Sequence, residues 1–453
     1  MKLSKEEQML ANGKISSLFI KFGIPGVLGL LLIGFQPMVD GIFLINFVGP
    51  EALAGVNLFV PIYTFVSALA VVVGIGCQTI VSISLGEKNY AVANDSFRTA
   101  GLFLLIFLTV IAMISFLGAE QLSRFLGADD ELKHYTIDYI RWFSPFLPVL
   151  ALIFLGDYML KASTRPYTAL SLLGLILFLN VLFDYVFVAV LGFGVKGAAL
   201  ATGISLSTSL ILMTMIFLFK RDNIVCFKRG VFRHKLLWKM LYNGSSEGLS
   251  ELSAGITVFL FNLVMMDMFG KNGVAAFTSV NYLLYLGVQL YVGLSDGIIP
   301  ILSYNYGAGN RERIKQTIRL GRRANFIIGI IFFSLLFVGG SFLISHFFGN
   351  TKMDDMETIK TIAVTGASYV AFAFLFNGQN ILSSSLFTSM GDAKTSAIIS
   401  LLRGLLLVVI GIFALPLLLG DTGVWLVIPI AEITTLFYCM LTIKRRTPWL
   451  MTY

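Results

Sequence analysis

Inside the apolar stretch LFLNVLFDYVFVAVL, residues 177–191, an amide, Asn180, and a carboxylate, Asp184, stand four positions apart. In a helix that spacing puts both side chains on one face. An acid near a bilayer centre costs about 2.5–3.5 kcal/mol on insertion scales, so the two should point together at something that offsets the cost. Counted along neighbouring apolar runs at about 1.5 Å per residue, Asp40, Asp184 and Thr202 lie about 8–10 Å below the outer surface, with Asn180 one turn deeper. Two carboxylates, an amide and a hydroxyl at one depth suit a hard cation such as Na⁺, or protons. Held close in a low dielectric, the carboxylates repel, and at least one should carry a proton near neutral pH. The plainer alternative is that each polar group only hydrogen-bonds a neighbouring helix. Bases near the site are few: Lys21 belongs to the inner end of its run, and Arg141 can snorkel to the outer interface.

Other residues invite the same question. Pro25, in the run that carries Asp40, offers a place to bend, with a static kink as the alternative, and Pro37 is a second candidate kink. Arg403 and Glu432 lie about 15 and 18 Å from the inner surface by the same rise and are expected to form one buried structural ion pair. Glu247 and Glu251 share a helix face, where Glu251 could meet a cationic substrate or make a structural hydrogen bond. Cys77, Cys226 and Cys439 have no paired spacing, and His134, His234 and His346 are dispersed, so neither a disulfide framework nor a zinc site is expected. HExxH and Walker A patterns are missing, which argues against a zinc hydrolase and against ATP use, and no enzyme is expected.

These residues must be positioned by membrane helices. The chain has 453 residues, of which 57% are hydrophobic and 13% charged, far from the roughly 25% charge of soluble domains. A net charge of +8 does not point to nucleic acid, because the basic residues fall in short loops between apolar runs. The pattern predicts twelve helices, near 15–46, 51–82, 94–118, 135–160, 167–191, 197–219, 240–269, 274–305, 317–347, 359–386, 393–417 and 422–443. MKLSKEEQMLANGK lacks the pattern of a cleaved signal peptide. Placing it inside leaves the inner segments with roughly four times the Lys and Arg of the outer loops. Both termini are therefore expected in the cytoplasm.

The first half recurs in the second. At an offset of 221, Gly49, Gly76, Gly86 and Asn89 fall on Gly270, Gly297, Gly307 and Asn310; at 226, Ser163 and Gly197 fall on Ser389 and Gly423. Six helices followed by six alike form a parallel repeat of the kind found in transporters. The expected fold is all-α, with an N-terminal lobe over 1–218, a cytoplasmic linker over 219–239 and a C-terminal lobe over 240–453. The polar cluster has no second copy, since Asp40 aligns with Phe261, and Asn180, Asp184 and Thr202 with Leu406, Ile410 and Ile428.

The run DGIF…VGPEALAG over 40–55, the Gly-containing loops at 82–89 and 303–310, and NVLFDY…GVKGAALAT over 180–202, in this order, resemble the multidrug and toxic compound extrusion (MATE) family. The resemblance implies a cation-coupled antiporter, driven by H⁺ or Na⁺, that expels amphipathic, usually cationic compounds by alternating access of a cleft between lobes. It also implies a plasma-membrane protein that works as a monomer without a cofactor. The family's N-lobe cation site matches Asp40, Asn180, Asp184 and Thr202, and its first-helix proline matches Pro25. Gln36 and Tyr139 are expected to face the cleft and substrate. The family's C-lobe acids on the seventh and tenth helices are not matched, since Ala254, Gln379 and Asn380 stand there. A flippase for a lipid-linked sugar is the alternative within the same superfamily. It would need several bases for pyrophosphate, and apart from Lys21, Arg141 and Arg403 the spans are expected to lack them.

Overall fold

The computed structural model describes residues 5–219, 225–227, 230–348 and 355–450. Residues 220–224 and 228–229 of the expected linker therefore lie outside the described residues. Every described regular element is helical. Six long apolar helices come first: α1 (Ile15–Phe47), α2 (Val60–Gly86), α3 (Tyr90–Leu117), α4 (Lys133–Ala162), α5 (Pro166–Val190) and α6 (Gly194–Phe219). The run His234–Gly307 is continuous except at Gly270, whose φ of 62° and ψ of −153° break it into α7, 234–269, and α8, 271–307. The remaining spans are α9 (Arg311–Phe337), α10 (Met356–Ser389), α11 (Ala393–Leu419) and α12 (Asp421–Arg446). The protein is thus a twelve-helix, multi-pass, all-α membrane protein. Each helix is long and apolar enough to cross a bilayer while satisfying its own backbone.

Local sequence sets the interruptions. A short 3₁₀ turn at Ser144–Phe146, centred on Pro145, splits α4, and a matching turn at Ala371–Ala373 splits α10. Proline removes a backbone donor from the helix ladder, which accounts for the first. Two π turns appear, at Tyr185–Val190 in α5 and Leu402–Leu406 in α11. Single π turns often mark functional segments. The first follows Asp184 directly and the second contains Arg403.

The helices gather into two compact units. One comprises Met1–Lys14, Ile24–Gly244 and Ser303–Gly309; the other comprises Ile15–Gly23, Ser245–Leu302 and Asn310–Tyr453. The N-terminal ends of α1 and α7 are therefore exchanged relative to a simple division of the chain in half. Glycines make these packings close. In the first unit a Cβ at Gly76 would sit 2.1 Å from the Met240 carbonyl oxygen, and one at Gly244 would sit 1.9 Å from that of Val72, so α2 and the start of α7 meet backbone to backbone. In the second unit a Cβ at Gly297 would lie 2.6 Å from the Phe22 carbonyl oxygen. Gly76 and Gly297 are repeat partners, and each admits the N-terminal end of the helix that begins the other half.

The described part of the linker is sewn onto the N-terminal end of α3. The backbone N–H groups of Cys226, Val231 and Arg233 donate to Asn94 Oδ1, Asp95 Oδ1 and Thr99 Oγ1. Arg233 also pairs with Asp95 at 2.6 Å. The spans carry more bases than the expected Lys21, Arg141 and Arg403: α4 runs to Ala162 and includes Lys161, which is 5% exposed, and α9 includes Arg319, Arg322 and Arg323.

Candidate functional site

Three elements of the first unit carry the polar cluster. α1 presents Asp40, α5 presents Asn180 and Asp184 from one face, and α6 presents Thr202. Small residues let α6 close on its neighbours: a Cβ at Gly197 would lie 3.0 Å from the Phe187 carbonyl, and one at Gly203 2.1 Å from the Phe146 ring. Thr202, between them, is thereby brought into the bundle. Asn180 and Asp184 are fully buried and Thr202 is 4% exposed.

The hydrogen bonds are unevenly shared. Asn180 Nδ2 donates to Asp40 Oδ1 at 2.8 Å, and Thr202 Oγ1 donates to Asp40 Oδ2 at 3.1 Å. Asn180 Nδ2 also lies 3.2 Å from Thr202 Oγ1. Asp40 is therefore held as a carboxylate by two neutral donors. Both carboxyl oxygens of Asp184, and Asn180 Oδ1, find no N–H or hydroxyl donor among the described residues. The nearest ionisable neighbour of Asp184 is the Asp40 carboxyl, close enough for the two to share a proton. Two carboxyl groups can share a hydrogen bond only when one carries a proton, because an ionised carboxylate has acceptors alone. The geometry thus calls for a proton between Asp40 and Asp184, or for a cation drawn to the oxygens without donors.

Tyr139 packs beside this pair, in electrostatic range of both acids, and its ring stacks on Phe143 with centroids 5.5 Å apart and meets Phe59 edge-on. It is 8% exposed, held in an aromatic cluster. Gln36, one turn inward from Asp40 on α1, lines a small cavity together with Tyr63 and Asp157. Pro25 lies within α1, buried, with Pro37 in the same helix.

In the second unit Arg403 Nη2 lies 3.1 Å from Glu432 Oε1. Arg403 also donates to Asn377 Oδ1 at 2.6 Å, and Asn380 Nδ2 donates to Glu432 Oε2 at 2.7 Å. Hydrogen-bonded in this way, a buried pair is held in place but sensitive to loss of either member. Glu247 faces Glu251 and Arg403, with one carboxyl oxygen buried and without a donor, while Glu251 is exposed. The described residues contain no cluster of three or more His, Cys, Asp or Glu side chains able to hold a metal.

The sequence reading passed over Asp157 and Lys161, four apart on α4, whose carboxyl and ammonium groups meet at 2.6 Å. The signal was an acid–base pair at helical spacing near a span's inner end. It also passed over Asn377, which shares Arg403.

Comparison with known proteins fits this architecture. The MatE family model matches twice, at residues 25–186 and 252–413. The multidrug export protein MepA of Staphylococcus aureus (strain NCTC 8325 / PS 47) is 24% identical over 440 residues, covering 94% of each chain. MepA of Staphylococcus saprophyticus (strain ATCC 15305 / DSM 20229 / NCIMB 8711 / NCTC 7292 / S-41) is 25% identical over 448 residues, covering 97% of this chain and 96% of its own. Among solved structures, MATE in the bent conformation superposes with a TM-score of 0.90 at 24% identity, over 99% of each chain. MATE in the straight conformation gives the same score and identity, over 99% of this chain and 100% of its own. With both halves matched by the family model and the twelve-helix fold shared throughout, the chain belongs to the multidrug and toxic compound extrusion (MatE) family of membrane transporters, not enzymes.

Proposed function

We propose that the chain is a multidrug antiporter that exports amphipathic, cationic organic compounds by alternating access, driven by proton entry through the Asp40–Asp184 pair. It acts as a monomer in the plasma membrane, with both termini on the cytoplasmic side. The observation that carries the coupling ion is the hydrogen-bond imbalance: Asp40 is satisfied as a carboxylate, and Asp184 faces it without another donor. Loss of the shared proton leaves two facing carboxylates, which favours a rearrangement of α1 against α5. Pro25 supplies a bend within α1 for such a change. That the relatives are multidrug export proteins supports the substrate class and disfavours the flippase reading.

Sodium coupling is the second reading, supported by the three oxygens of Asp184 and Asn180 that lack donors. Purified protein in liposomes, given a fluorescent organic cation and either a pH gradient or a Na⁺ gradient, separates the two. The proton reading expects efflux under the pH gradient in sodium-free buffer. Efflux under the Na⁺ gradient alone would replace the proton by sodium, and efflux under neither would sink the antiporter reading.

A further inference from the structure

Asp157 and Lys161 lie near the inner end of α4, each 5% exposed, with Lys161 Nζ donating to Asp157 Oδ2 at 2.6 Å. Lys161 also lies over the Tyr158 ring, 5.5 Å from its centroid. Asp157 Oδ1 is buried and has no hydrogen-bond donor among the described residues. That side chain lines a cavity of about 20 Å³ shared with Gln36 and Tyr63, and about 10–15 Å³ of such space holds one water. The cavity sits one helical turn inward from the coupling site on three helices at once: Gln36 precedes Asp40 by four residues, Ile176 precedes Asn180 by four, and Leu206 follows Thr202 by four on the oppositely directed α6.

We infer that Asp157 and Lys161 form an inward proton relay, reached from the Asp40–Asp184 pair by water passing between the pair and the cavity one helical turn beneath it. This rests on the proton reading of the coupling site. The shared carboxyl O–H breaks, its electron pair stays on the carboxylate, and its proton goes to the water oxygen. The same water gives one of its own protons to Asp157 Oδ1 and is regenerated. With Asp157 neutral, the Lys161 ammonium has lost its counter-charge; it gives one proton to solvent water beyond the inner end of α4 and takes the Asp157 proton in exchange, which restores the ion pair.

The groups around Asp157 leave the relay few competitors. α1 contributes Gln36 and α2 contributes Tyr63, while α5 and α6 line the cavity only with Leu173, Ile176, Leu177 and Leu206. The face of α4 turned toward α3 is apolar, with Leu152, Leu155 and Gly156. Gln78 of α2 donates to the Tyr158 backbone carbonyl. The repeat makes the cavity particular to this unit. At the 226 offset its lining residues Phe154, Leu177 and Leu206 become Asn380, Arg403 and Glu432, so side chains of the closed ion-pair network stand at the matching positions of the second unit.

A structural pair and a relay respond differently to removal of both charges. Asp157→Asn with Lys161→Gln leaves neither charge buried alone, so a purely structural pair is replaced without loss. The relay expects this double variant to keep its melting temperature and its affinity for a fluorescent cation. Its pH-gradient-driven efflux in liposomes should fall by at least about tenfold, as for loss of a proton-transfer group. Leu177→Phe, which fills the cavity without touching a charge, should slow efflux in the same way and gives a second readout should the double variant not fold. Wild-type efflux rates in either folded variant would overturn the relay. If wild-type protein itself ignores the pH gradient, the proton reading falls and the relay with it; if only the variants match wild type, the relay alone falls.

Discussion

Asp40 and Asp184 are both carboxylates in apolar surroundings, yet their partners divide their work. Asp40 accepts from Asn180 and Thr202, so it anchors α1 to α5 and α6; Asp184 faces Asp40 and is the group whose hydrogen bonding depends on a proton. Truncating the amide in Asn180→Ala removes one donor from Asp40 and should weaken pH-driven efflux several-fold without abolishing it, measured as initial rates in liposomes. Arg403 behaves differently. Its guanidinium is matched by Glu432 and Asn377, and Arg403→Ala would leave a buried carboxylate without its counter-charge, a loss of about 3–5 kcal/mol. Melting temperature in detergent should drop accordingly, and Arg403→Met with Glu432→Leu should recover most of it. A normally stable Arg403→Ala that fails only in efflux would show that the pair serves transport instead. Such residues are visible in the sequence because charge inside an apolar run is rare. Asp157 and Lys161 were less visible, because a lysine near a helix end reads as one that reaches to the interface, and only the fold turns it inward.

At the scale of the helix, the breaks were partly legible. Gly270 divides α7 from α8 where the apolar runs part, because a φ of 62° is open to glycine and strained for other residues. The π turns and the 3₁₀ turn of α10 left no comparable mark, since they depend on how a helix packs against its neighbours. The repeated glycines were readable as a pattern, but their reason lies in the exchanged helix ends. Gly76 admits the α7 backbone at a distance where no side chain fits. Gly76→Ala should therefore force α2 and α7 apart, at a cost of about 1–3 kcal/mol typical of overpacking. A lower melting temperature with wild-type cation affinity in the surviving protein is the expected result, and an unchanged melting temperature would show that the contact yields freely.

Over the whole molecule, two halves built from one pattern have been given different interiors. The positions of Asn180, Asp184 and Thr202 are occupied in the second half by Leu406, Ile410 and Ile428, while the apolar positions Leu177 and Leu206 correspond to Arg403 and Glu432. One unit therefore keeps an acid pair short of donors, and the other a hydrogen-bonded ion pair. Both units share the helical scaffold, which composition and repeat made legible; the difference between their interiors turns on single side chains. The most direct test is Asp184→Asn, which keeps the volume and hydrogen-bonding capacity of the side chain but removes its exchangeable proton. Wild-type and variant protein in liposomes, with efflux of a fluorescent cation and the accompanying proton flux recorded together under an imposed pH gradient, decide it. The account predicts a variant that folds with an unchanged melting temperature and carries neither proton nor cation in response to the gradient. Efflux and proton flux near the wild-type rate would contradict it.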